Sequence, residues 1–359
     1  MKFKKFKILN SLLRKRNPIN SRYKNIRLDK NERVSSFDYY FLNKIKSNLS
    51  SEYISAYPEV EEIYKVLSKT HSLSANMFVI TSGSDLAIKN CFELFISPGD
   101  EVITLNPTYG MVDVYSKLFQ AKQIRIDFDK DLRLDISKIY KKISNKTSLI
   151  ILANPNSPTG TVINKKEIIK ILKLGKRYGF YVLIDECYYG YYPNSYISYI
   201  KKFNNLIISR SFSKIGLAGC RIGYLVASKR VAKFLYKFRP FYEISSFSCM
   251  VLKEFLKNNK YLKDYIKETL IGKEYLMNGL KKLKINFYRT NTNFILIKFR
   301  SEKIKKEIKE LFAKRNILVL GEGKLIEGKK ILRVTLGPKE FMHKVLKIFE
   351  SYQKTNKNL

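Results

Sequence analysis

The stretch LIISRSFSKIGLAGCRIGY (206–224) gathers Ser211, Ser213, Lys214 and Arg221 into one loop after a β-branched run. Two hydroxyls and a guanidinium can clamp a phosphate. The lysine between them has small and apolar neighbours, where partial desolvation lowers an amine's pKa and leaves it nucleophilic. Upstream, YVLIDECYYG (181–190) ends an apolar run on Asp185. An ionised carboxylate there needs a cationic partner to offset its desolvation, and a protonated pyridine nitrogen is one such partner. Neighbouring Glu186 points to the opposite strand face, so the two carboxyls cannot flank one bond as a glycosidase pair does.

Three further turns belong with this loop. In TSGSD (81–85), Gly83 permits a tight turn while Ser84 and Asp85 open a helix, whose free amides and positive dipole can hold a phosphate; Ser and Asp are equally ordinary N-caps. NPTYG (106–110) sets Tyr109 at a strand end, where its face could stack on a planar cofactor or simply shape the turn. NPNSPTG (154–160) offers Asn156 or Ser157 as a hydrogen-bonding group toward a ring substituent, in competition with plain turn chemistry.

The surrounding elements explain why these turns meet. From residue 77, MFVIT, EVITL, QIRIDF, SLIILA, YVLIDE, LIISRS and GYLVAS alternate with helical patterns. That alternation predicts an α/β fold with a mostly parallel, seven-stranded sheet covered by helices, and ligands at the carboxyl ends of its strands. After residue 245 two lysine-rich helical stretches lead to FILIKF, a helix, ILVL, ILRVTLG and a helix from Pro338, a smaller α+β unit. The expected division is an arm over 1–48, packing on the small unit or a partner subunit, a large domain over 49–245 and a small C-terminal domain over 246–359.

Composition narrows the possibilities. The chain has 359 residues and a formal charge of +38, from 69 Lys plus Arg against 31 Asp plus Glu. Such a charge suggests a polyanionic partner, but the lysines are spread over polar faces of amphipathic helices such as EKIKKEIKELFAKR, and no nucleic-acid recognition motif accompanies them. A non-catalytic regulator using that surface is the minor alternative. Cys91, Cys187, Cys220 and Cys249 are irregularly spaced and His71 and His343 lie far apart, which argues against a disulfide framework or a metal site. The opening MKFKKFKILNSLLRKR lacks a cleavage site, and no apolar run has membrane-spanning length. A cytoplasmic protein without a membrane partner is expected.

AYPEV, TSGSD, NPTYGM, NPNSPTG, DECY, SFSK, GLAGCRIGY and LRVTLG occur in this order over residues 28–340. In these motifs the chain resembles class I/II aminotransferases that use pyridoxal 5'-phosphate (PLP), of fold type I, and most closely the group of histidinol-phosphate aminotransferase and threonine-phosphate decarboxylase. The resemblance implies that Lys214 is the Schiff-base lysine and that Asp185 keeps the pyridine nitrogen protonated. It makes Tyr188 the phenol on the cofactor's ring oxygen and Tyr109 the stacking ring. Gly83, Ser84, Asp85, Ser211, Ser213 and Arg221 become the phosphate cup, and Arg333 the arginine that grips a substrate carboxylate. Tyr57 resembles a tyrosine that reaches the neighbouring subunit's cofactor, which implies a homodimer with shared sites. Two positions depart from the pattern: Ser157 stands where an asparagine is usual, with Asn156 as its substitute, and the usual NENP reads Asn31, Glu32, Arg33, Val34, adding Arg33 to Asn31 as a candidate substrate contact. The implied reaction is transamination between an amino donor, L-glutamate, and a small phosphorylated oxo substrate. The alternative is decarboxylation of a phosphorylated amino acid at the same site, since PLP labilises whichever Cα bond lies perpendicular to its ring.

Overall fold

The computed structural model describes residues 22–258, 260–321 and 330–355, together with Asn10 and Ile326. The expectations for the opening MKFKKFKILNSLLRKR fall, apart from Asn10, outside the described residues. The arm contributes β1 (Ile26–Leu28). Then β2 (Phe78–Thr81), β3 (Glu101–Asn106), β4 (Lys122–Asp127), β5 (Thr147–Ala153), β6 (Tyr181–Asp185), β7 (Leu206–Ser211) and β8 (Gly223–Ala227) form one sheet in the order β2-β8-β7-β6-β5-β3-β4. Every predicted strand of this sheet is present. All run parallel except β8, which is antiparallel to β2 and to β7. The cause is length: residues 212–222 fall short of the dozen or so that a crossover needs, so the chain must turn back beside β7.

Apolar character on both strand faces builds two cores. Ile150, Leu152, Ile184 and Ile208 face one cluster, while Leu149, Ile151, Leu183 and Ile207 face another beneath the helix Gly83–Phe95. This two-sided burial is what a central sheet between helix layers requires.

A second sheet, β12-β10-β9, is antiparallel and made of β9 (Phe287–Tyr288), β10 (Phe294–Lys298) and β12 (Ile331–Thr335). β11 (Ile317–Val319) pairs in parallel with β1, Ile26 opposite Ile317 and Leu28 opposite Val319. Leu28 and Val34 of the arm thereby join the core of the helices Lys260–Lys282 and Lys339–Thr355. The helix Ser246–Lys257 instead buries Met250, Leu252 and Phe255 in the first core, so the change of character at residue 246 is not a change of core. Among the described residues no helix is long and apolar enough to cross a membrane.

Candidate active site

The carboxyl ends of β2, β3, β5, β6 and β7 open on one cavity of about 560 Å3. Asn31, Ser84, Asp85, Tyr109, Asp185, Tyr188, Ser211, Ser213, Lys214, Arg221 and Arg333, drawn from the whole length of the chain, all line it. A strand ending at a sheet's edge leaves its next residues free of the ladder, and here those residues carry the polar groups.

One wall is a cup of hydroxyls and amides. Ser211 Oγ donates to Ser213 Oγ at 2.9 Å and accepts from the Ser213 amide at 3.1 Å, which fixes both hydroxyls on the cavity side. Arg221 stands in the left-handed region at φ +54 and lays its guanidinium along Gly83. At Gly83, with φ +76, a Cβ would come within 3.1 Å of that guanidinium, so both the turn and the approach call for glycine. Asp85 lines the cavity and accepts from Tyr115 Oη at 3.2 Å.

Asp185, at the tip of β6, is 5% exposed and its Oδ1 has no hydrogen-bond partner. Burial pushes the carboxyl up to about 7, only partly offset by Ser209, the Cys187 amide and Lys214. Glu186 faces away, as strand alternation demands, in a buried pair with Arg210 at 2.8 Å; it also accepts from the Tyr196 amide and from Ser195. Lys214 Nζ donates to the Lys30 carbonyl at 3.1 Å, drawing the arm across the cavity.

A chain of bonds ties the arm to the site. Thr335 Oγ1 donates to Asn31 Oδ1 at 3.3 Å, Asn31 Nδ2 donates to Tyr188 Oη at 2.9 Å, and Tyr188 donates to Ser157 Oγ at 3.3 Å. Ser157, not Asn156, faces the cavity. Asn156 is buried in the turn, where its amide donates to the Pro107 carbonyl and Thr159 and accepts from Thr108, so the expectation that it substitutes toward the ring is corrected. Arg33 is likewise absent from the lining: it packs between Phe37 and Tyr265, 4.4 and 4.2 Å from their ring centres, and burial lowers its pKa. Tyr57 is 76% exposed and stacks on Tyr242 at 4.1 Å, outside this chain's own cavity.

Sequence reasoning did not find Arg22, Lys30, Glu32 or Cys187 as lining residues. The last was legible, since it follows Asp185 in a turn already singled out. The first three lie on an arm with no pattern of its own. Arg22 binds Asp29 at 2.7 Å and Glu32 at 2.9 Å, and Glu32 also takes Arg27 at 2.8 Å. Arg333 donates from its terminal nitrogen to the Asp29 carbonyl at 2.9 Å, while its buried Nε has no partner.

A buried carboxylate with one unpartnered oxygen, an amine and a hydroxyl–guanidinium cup are what a phosphorylated pyridine aldehyde requires, so the residues present fit PLP. Solved structures share the fold: a putative histidinol-phosphate aminotransferase from Erwinia carotovora atroseptica has a TM-score of 0.84 at 20% identity, covering 93% of this chain and 98% of that one. A histidinol-phosphate aminotransferase from Sinorhizobium meliloti in complex with pyridoxal-5'-phosphate gives 0.83 at 19%, covering 98% and 99%. Sheet order and cavity together define a fold-type I PLP enzyme. The family model "Aminotransferase class I and II" matches residues 42–349, and the chain belongs to that family, a PLP-dependent aminotransferase. Among curated relatives, the histidinol-phosphate aminotransferase of Clostridium novyi is 32% identical over 88% of each chain. That of Methanocaldococcus jannaschii is 30% identical over 86% of this chain and 84% of its own.

Proposed function

We propose that the enzyme transfers the amino group of L-glutamate to a small phosphorylated oxo acceptor, in the cytoplasm, as a homodimer. The observation that carries this is the convergence of Lys214, the buried Asp185 carboxylate with its unpartnered Oδ1 and the Ser84–Ser211–Ser213–Arg221 cup in one cavity with Arg333. Bound PLP supplies an electron sink and a carrier for the amino group. Lys214 anchors the cofactor and shuttles the proton at the substrate Cα. Asp185, once its partner is a pyridinium, stays ionised and holds the ring nitrogen protonated. Asn31 and Ser157 orient the Tyr188 phenol toward the ring oxygen, and Tyr109 closes over the ring face. Gly83, Ser84, Asp85, Ser211, Ser213 and Arg221 take the cofactor phosphate, and Arg333 takes a substrate anion through its free Nε and remaining donors. Tyr57, outside its own cavity, serves the site of the second copy. The curated relatives named as histidinol-phosphate aminotransferases support a phosphorylated acceptor. Four free cysteines agree with a reducing compartment.

The test is a single-turnover experiment on the PLP-loaded protein. L-Glutamate should shift the cofactor's visible absorbance and release 2-oxoglutarate, and Lys214→Ala should abolish both. No shift with glutamate, but CO2 release from a phosphorylated amino acid, would replace the proposal by decarboxylation.

A further inference from the structure

Arg22 is the feature of the cavity that the aminotransferase chemistry leaves unused. It reaches the lining from the arm, and its guanidinium is held by two carboxylates: Nε and one terminal nitrogen donate to Asp29 at 3.4 and 2.7 Å, and the other terminal nitrogen to Glu32 Oε1 at 2.9 Å. A guanidinium has five N–H donors in a rigid plane, so three are used and two remain. Asp29 is also where Arg333 rests, through its backbone carbonyl at 2.9 Å. One buried residue thus sets the positions of two guanidiniums at the cavity mouth. Glu32 is shared with Arg27 at 2.8 Å, so the two acids do not cancel Arg22 alone: the cluster of Arg22, Arg27, Asp29 and Glu32 is neutral, and Lys30 and Arg333 leave the mouth cationic.

We propose that Arg22 is a specificity-determining residue that reads the distal anionic group of the substrates, while Arg333 reads the nearer one. This rests on the aminotransferase reaction with glutamate as donor. Glutamate and a phosphorylated acceptor must occupy the same cavity in turn, and what they share is an anion at the end remote from the reacting carbon. A cation fixed in place by Asp29 and Glu32 serves both without reorganising, and its planar fork suits carboxylate and phosphate oxygens alike. A surface ion pair made only for stability would not need to line the cavity.

The experiment compares L-glutamate with its neutral isostere L-glutamine as donors, following the cofactor absorbance of the PLP-loaded enzyme in single turnovers. The wild type should prefer glutamate. In Arg22→Gln the ratio of the two kcat/KM values should fall at least tenfold, and Arg22→Lys, which keeps the charge but not the fork, should recover part of it. A ratio that stays at the wild-type value in Arg22→Gln overturns the assignment, as it does if both donors weaken in parallel. Should Arg22→Gln not accumulate as folded holoenzyme, Arg22→Lys decides alone, a ratio equal to the wild type's counting against the assignment. A wild-type enzyme indifferent between the donors overturns the glutamate reading itself, and with it any distal anion contact by Arg22.

Discussion

At the scale of single residues, Asp185 shows how a site can be costly until its ligand arrives. In the cofactor-free protein burial holds its carboxyl at about 7, above the ordinary value of 3.8. The unfolded chain therefore gives up this proton first, and folded stability falls as pH climbs from about 4 to about 7, with the loss complete above that. Asn at this position carries no charge. We expect apo Asp185→Asn to melt above the apo wild type at pH 8, by on the order of 2 kcal/mol, and the gap to close near pH 4. With PLP present the order at pH 8 should reverse, since only the carboxylate pairs with the ring nitrogen. Thermal melts of both proteins at the two pH values, with and without PLP, check this; an apo variant that melts lower at pH 8 would contradict it. Asp185 was legible in the sequence because a charged group at the end of an apolar run has few innocent explanations, and Lys214 because two hydroxyls and a guanidinium surround it in a loop of small and apolar residues. Arg22 was not, since nothing local separates it from Arg14, Arg16, Lys24 or Arg27 on the same basic arm. Asn156 misled because turn residues that satisfy the turn and residues that face a ligand are the same types, and only the fold reveals which of two neighbours points inward.

At the scale of elements, the strands were legible because the central ones are apolar on both faces and the edge strand β4 alternates apolar with polar residues, whereas the reversal of β8 was carried only by the shortness of the loop before it. β1 was invisible: three residues cannot display a period of two. Its pairing with β11 nonetheless places Lys30, Asn31 and Glu32 at the cavity. Helix packing in the second core makes a sharper prediction. The helix Lys260–Lys282 meets the chain before the last helix at Gly272, where a Cβ would collide with the Gly337 carbonyl, and meets that helix at Gly279, where a Cβ would collide with the Leu346 side chain. Backbone cannot yield, while Leu346 can change rotamer. Gly272→Ala should therefore lower stability by about 1–3 kcal/mol despite its gain in helix propensity. For Gly279→Ala that gain, about 1 kcal/mol, offsets most of the crowding. Urea midpoints of the two variants should fall in that order, and equal midpoints would show that the Gly337 turn moves freely.

At the scale of the whole molecule, the cavity gathers nearly everything the reaction needs from one chain, yet Tyr57 lies outside it, 76% exposed and stacked on Tyr242 beside the 88% exposed Phe241. The Ser246 hydroxyl donates to the Ala56 carbonyl at 2.7 Å, so this aromatic surface is braced by the helix Ser246–Lys257. A second copy covering it would carry Tyr57 to the partner's cofactor. Because each chain bears a formal charge of +38, two copies repel, and dimer dissociation measured by sedimentation should weaken as salt is raised. Sharing of sites has a distinct signature. A dimer of one Lys214→Ala chain and one Tyr57→Ala chain contains one site with both native residues and one with neither. Random mixing makes about half of all dimers of this mixed kind, each with one native site of two, so about a quarter of wild-type sites should return. The mixture, unfolded and refolded together, should thus exceed the average activity of the two variants refolded apart. Activity equal to that average would mean that Tyr57 serves its own chain or none.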